Sequence, residues 1–159
     1  MLLGGIAGVF LLLDQVTKLV VTAKIPEYSS LEIIPGCLNL VNVLNRGAAF
    51  GFLNRSDIEW QFWLFLLATF LAVGAILYVA RTLQEKAILL PLGLGSILGG
   101  ALGNLIDRVR MRAVLDFIDV YWRDWHWPAF NVADTGICIG AFLVCYVLFF
   151  ENKPASARK

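Results

Sequence analysis

The hydrophobic pattern divides the chain into four apolar runs, joined by two long connectors and one short polar turn. The runs cover residues 2–23, 60–80, 87–106 and 132–150, each close to the roughly 20 residues that a helix needs to cross a bilayer. The pattern predicts an all-α membrane protein with four transmembrane helices. The first run carries Asp14 and Lys18 and lacks a basic start, so it reads as a retained helix and not as a cleaved leader. The third holds PLGLGSILGGALGN, in which Gly95, Gly99 and Gly103 recur every four residues. Such a smooth face suits close helix packing or the approach of an extended peptide.

The connectors have their own patterns. Residues 24–59 include LEIIPGCLNLVNVLNRGAAFGFL, rich in branched residues and punctuated by Pro35, Gly36, Gly47 and Gly51. This predicts short strands forming a small sheet on the membrane surface. Residues 107–131 include YWRDWHWP, whose aromatic density suits the lipid headgroup layer. An interfacial helix or loop is expected there, with 121–127 placed to act as a lid. Residues 80–86 read as a polar turn and 151–159 as a polar tail.

Composition narrows the class. Hydrophobic residues make up 59% of the 159 and charged residues 16%, which excludes an ordinary soluble domain. A net charge of +1 gives no pull toward nucleic acid. His126 is the single histidine, so a multi-histidine metal site is excluded, and no metal or other cofactor is expected. Cys37, Cys138 and Cys145 form no CxxC pair. Cys138 and Cys145, seven apart, are expected to pack on one helix face.

Helices in series alternate direction, so the end of the first, the end of the third and the start of the fourth share one membrane face. That face collects Asp14, Gln15 and Lys18, then Asn104, Asp107 and Arg108, then Asn131 and Asp134. Both long connectors emerge on it. Polar groups in membrane helices are costly and suggest function. Lys and Arg are divided between the two faces too evenly to orient the chain.

Asp14 and Lys18 stand at i, i+4 and can neutralise each other. Asn104 and Arg108 have the same spacing; Arg108 can satisfy Asp107 locally, or hold a carboxylate or a lipid headgroup. In FNVAD, Asn131 is a good N-cap and Asp134 sits three residues on, as in a capping box with a shorter acid. In VLDFIDV, Asp116 lies between Leu115 and Phe117, in an extended piece or at the start of an interfacial helix, where burial would raise its pKa. Asp119 and Asp124 read as solvated charges. Two acids at an apolar surface that share a proton can activate water and protonate a carbonyl. Spacing alone leaves open whether Asp116 and Asp134 meet. Ser96 has no histidine on a membrane helix to activate it. A proton-coupled transporter using Asp14, Lys18 and Asp107, or a membrane scaffold, are the other readings; a transporter site belongs near the midplane, at a repeat interface.

Five blocks, DQVTK, NRGAAFG, GGALGNLIDR, VLDFIDV and FNVAD, occur in an order and spacing that closely resemble bacterial lipoprotein signal peptidase (signal peptidase II) over nearly the whole chain. The resemblance implies one integral-membrane aspartic endopeptidase domain over 1–159. It would cleave diacylglyceryl-modified prolipoproteins just before the lipidated cysteine. It implies Asp116 and Asp134 as the catalytic pair, supported by Asp14, Lys18, Asn45, Gly47, Asn104, Arg108 and Asn131. It also implies a small sheet and an interfacial helix outside the membrane, with extracytoplasmic segments 24–59 and 107–131. A monomer in the bacterial cytoplasmic (inner) membrane is expected, in contact with membrane lipids and with both termini cytoplasmic. Two departures stand out: Arg46 replaces a commonly small polar residue, and the start lacks the usual basic residues, as a truncated or misassigned start would.

Overall fold

The computed structural model describes residues 1–47, 59–81 and 88–151. Most of the turn expected at 80–86, most of the tail, and the connector stretch 48–58 with Gly51 lie outside the described residues. Four helices are long and apolar enough to cross a membrane: α1 (Leu2–Lys24), α2 (Trp60–Ala80), α3 (Leu89–Met111) and α4, which begins at Val132. α4 runs regularly to Tyr146 and continues as wider π turns to Glu151. The outer faces are apolar, with Leu12, Leu19, Leu67, Leu71 and Phe142 all more than half exposed. So continuous an apolar surface is a lipid-facing surface. The chain is a multi-pass membrane protein.

α3 is the central, buried helix, flanked by α1 and α4. Its glycines explain how. A Cβ on Gly99 would come within 2.5 Å of the Ala7 carbonyl oxygen of α1. The opposite side of α3 meets α4, where a Cβ on Gly140 would strike the Gly93 carbonyl. The glycine stripe is therefore a helix-packing surface, not a peptide-binding one. α3 also outlasts the apolar run that predicted its end near 106. Arg108 and Arg110 sit in its last turn, where cations meet the negative end of the helix dipole. It stops at Arg112, whose φ of 56° is a left-handed cap.

Strands β1 (Ser30–Ile34), β2 (Leu38–Asn45), β3 (Val114–Trp122) and β4 (Trp125–His126) form one antiparallel sheet in the order β1-β2-β3-β4. Of the two readings open for the stretch around Asp116, the extended piece holds: the second connector is strand and hairpin, and no interfacial helix forms within 114–126. Alternation along VLDFIDVYW decided this. Leu115 and Phe117 pack on Val21 and Ile25 at the end of α1, and Asp116 between them faces the other way. Burying a side chain such as Phe117 contributes about 1.5–3 kcal/mol, so these contacts seat the sheet on the end of the bundle. Cys138 and Cys145 were expected to pack on one helix face; both are exposed on the outer surface of α4.

Candidate active site

The site lies where α1, α3, the sheet and α4 meet. Its innermost part is an ion cluster. The Lys18 ammonium sits 2.8 Å from Asp14 and 2.7 Å from Asp107, all three side chains nearly fully buried. Each acid also receives a backbone N–H. Asp14 accepts from Ala133 at 2.9 Å, and Asp107 accepts from Leu115 at 3.2 Å. The Gln15 amide donates to both acids. The cluster therefore ties α1 to α3 and fixes the first residues of α4 and of β3. Gly103 makes room for it, since a Cβ there would lie 2.5 Å from Asp14 Oδ2.

Above the cluster, three asparagines hold Asp116 and Asp134. A donor at each amide oxygen decides which way the amide points. Lys18 donates to Asn104 Oδ1 at 3.2 Å, so Asn104 Nδ2 donates to Asp134 Oδ1 at 2.8 Å. The Asp134 N–H donates to Asn131 Oδ1 at 2.9 Å, so Asn131 Nδ2 donates to Asp116 Oδ1 at 2.8 Å. The Gly47 N–H donates to Asn45 Oδ1 at 2.9 Å, so Asn45 Nδ2 donates to Asp116 Oδ2 at 3.0 Å. Asp134 Oδ2 accepts the Asn131 N–H at 3.2 Å, completing a reciprocal capping box. Every carboxylate oxygen of the pair is held by an amide donor. Asp116 is only 3% exposed. Burial, reinforced by the nearby Asp134 charge and opposed by the Asn45 and Asn131 amides, pushes its carboxyl from 3.8 up to about 7.

Both acids line one cavity of about 470 Å³, together with Asn45, Gly47, Asn104 and Arg108. Its remaining wall is mostly apolar: Trp127 to Phe130 on one side, and Thr135 and Ile137 to Ile139 of α4 on the other. Cys138 and Ile139 are exposed on the lipid face, so the cavity opens sideways toward lipid. The Arg108 guanidinium stacks over Phe65 of α2, 4.8 Å from the ring centre. Asp107, its sequence neighbour, is engaged with Lys18 instead.

All nine residues expected from the sequence thus gather at one end of the bundle. Asp14 and Lys18 lie beneath the cavity, six others line it, and Asn131 is fully buried behind Asp116 and Asp134, bonded to both. Sequence reasoning missed the part played by Asp107. Its position three residues after Asn104 on one helix face was the available signal. It also misjudged Asp119. That residue is 8% exposed and bonded to Asn39 and His126, not solvated.

A helical membrane bundle with two neighbouring aspartates at its mouth, Asp116 buried and Asp134 partly so, defines a membrane aspartic peptidase. The family model described as signal peptidase (SPase) II matches residues 6–150. The chain is 57% identical to the lipoprotein signal peptidase of Nitratidesulfovibrio vulgaris (strain DP4), covering 98% of this chain and 93% of the relative. It is 52% identical to that of Maridesulfovibrio salexigens, covering 96% and 97%. A bacterial membrane enzyme solved by the in meso method at 2.3 Å superposes with a TM-score of 0.81 at 31% identity, over 93% of this chain and 89% of the other. The chain belongs to the signal peptidase II family of aspartic peptidases.

Proposed function

We propose that the Asp116/Asp134 pair hydrolyses the peptide bond that precedes the lipidated cysteine of diacylglyceryl-modified prolipoproteins. One observation carries the assignment: both acids line one apolar cavity, each oriented by asparagine amides. The pair shares one proton. The unprotonated acid takes a proton from water, and the resulting hydroxide adds to the peptide carbonyl carbon. The protonated acid gives its proton to the carbonyl oxygen. Collapse of the tetrahedral diol breaks the C–N bond: the departing nitrogen takes a proton from one acid while a diol hydroxyl returns its proton to the other, restoring the shared proton. Water's oxygen ends in the new carboxyl, and no covalent enzyme intermediate forms. Asp14 and Lys18 act beneath the site by holding Asn104 and the start of α4. Arg108, facing the cavity, is placed to receive a carbonyl oxygen of the substrate.

The lateral opening beside Cys138 and Ile139 admits a substrate that stays in the bilayer. The protein works as a monomer in the bacterial inner membrane. The cavity is on the extracytoplasmic side and both termini are cytoplasmic, an orientation supported by the family and by the gathering of both long connectors at the cavity end. The polar groups sit at one end of the bundle, which does not favour a transporter. The test is to incubate purified protein with a lipidated prolipoprotein and read the product's N-terminus by mass spectrometry. A product starting at the lipidated cysteine is expected. Cleavage elsewhere, or equal cleavage of an unlipidated precursor, overturns the substrate assignment.

A further inference from the structure

β4 is only two residues long, and directly after it Trp127, Pro128, Ala129 and Phe130 form one wall of the cavity. Backbone bonds to β3 pin the wall at its two ends: the pairs Tyr121–His126 and Trp122–Trp125 with the Trp127 N–H on the Val120 carbonyl at 2.8 Å at one end, and a bridge between Phe130 and Ile118 at the other, with Pro128 and Ala129 between them. Side chains supply the rest. Asp119 and Tyr121 share the β3 face opposite Asp116, beyond Leu115 and Phe117. Asn39 of β2 donates to Asp119 at 2.9 Å, and His126 of β4 contacts Asp119 at 2.9 Å. The His126 ring stacks on Tyr121, 5.1 Å between centres and 11° apart. The Tyr121 hydroxyl donates to Glu32 of β1 at 2.6 Å and accepts the Gly36 N–H at 2.9 Å. One connected row of side chains thus crosses all four strands. The mechanism above uses none of it.

We propose that this row is a strap, with Asp119 and His126 as positioning residues that hold the 127–130 wall against the substrate. They act through the wall and touch neither the acids nor the reacting bond. The row passes through β3 and β2, the strands that carry Asp116 and Asn45, so it also braces the frame that sets these two side chains. The proposal rests on the active-site reading above and deepens it.

The experiment measures kcat and KM for cleavage of a lipidated prolipoprotein, with the melting temperature of each variant in the same detergent. His126→Ala is expected to raise KM by about three- to tenfold, the range of one lost hydrogen bond, and to leave kcat within about twofold. His126→Gln, whose amide can again donate to Asp119, is expected to restore most of the KM. A strap that only stabilised the fold would lower the active fraction, so kcat would fall with KM unchanged; that result overturns the proposal. Unchanged kinetics in His126→Ala, or no rescue by Gln, also overturn it. Tyr121→Phe keeps the ring and removes only the hydroxyl, so it applies the same KM test from β1 should His126→Ala not accumulate. Asp116→Asn runs alongside as the control for the active-site reading. If it cleaves like wild type, that reading fails; if it is inert while His126→Ala is kinetically silent, only the strap fails.

Discussion

Lys18 is an ammonium placed between two buried acids, and the consequences of removing any member can be ranked. Lys18→Met keeps the chain's length and takes away the charge. Asp14 and Asp107 are then left facing each other, at 0% and 2% exposure. Their backbone and Gln15 donors remain, but among the described residues no other cation pairs directly with either. Breaking a buried ion pair from one side costs about 3–5 kcal/mol. Asp107→Asn differs, because Lys18 keeps Asp14 at 2.8 Å and the cluster becomes one cation with one anion. Its cost is that of one weakened hydrogen-bonded contact, about 1–2 kcal/mol. At roughly 2–4 °C per kcal/mol for a chain of this size, Lys18→Met should melt on the order of 10 °C below wild type in detergent, and Asp107→Asn only a few degrees below. The two changes should couple: the double variant should melt above Lys18→Met alone, because it leaves one fewer uncompensated carboxylate. Thermal unfolding followed by tryptophan fluorescence gives the ranking. Strict additivity, or a Lys18→Met variant as stable as Asp107→Asn, would refute the picture of one cation serving two acids.

The raised carboxyl of Asp116 predicts a pH dependence of stability. Between its ordinary 3.8 and about 7 the folded chain holds a proton that the unfolded chain has released, so this contribution is fully present below about pH 4 and is lost as pH rises through 7. Melting scans of wild type against Asp116→Asn from pH 4 to 8 should show a flatter slope for the variant; parallel slopes would contradict the assignment. The glycines give a paired prediction. Gly103→Ala should cost about 1–3 kcal/mol by crowding Asp14, whereas Gly74→Ala, with nothing within 4 Å of its new Cβ, should be neutral or slightly stabilising. Equal melting temperatures for the two variants would remove the steric account of the stripe.

The membrane topology was legible because apolar runs of bilayer length have few alternatives. The convergence of polar residues was legible too, since alternating helix direction puts Asp14, Asn104 and Asn131 on one face without any contact being known. An interfacial helix stayed open for the second connector because tryptophan density reports an environment, not a backbone conformation. The period-two pattern around Asp116 carried the strand signal and was the better guide. Asp119 was misjudged for a related reason. Its neighbours in sequence, Ile118 and Val120, name no partner for a carboxylate, and its partners Asn39 and His126 come from other strands, 80 and 7 residues away. No spacing rule could give the amide relay either. The orientation of Asn104 is set by Lys18, 86 residues distant, and only the folded chain brings that donor to the amide oxygen.

The central claim is that Asp116 and Asp134 together hydrolyse the bond. It is tested most directly by single-turnover cleavage of a lipidated prolipoprotein with Asp116→Asn and Asp134→Asn, each purified and shown by its melting curve to be folded. The account predicts no detectable cleavage by either variant, with binding of the lipidated precursor retained. Turnover near the wild-type rate by either folded variant would contradict it.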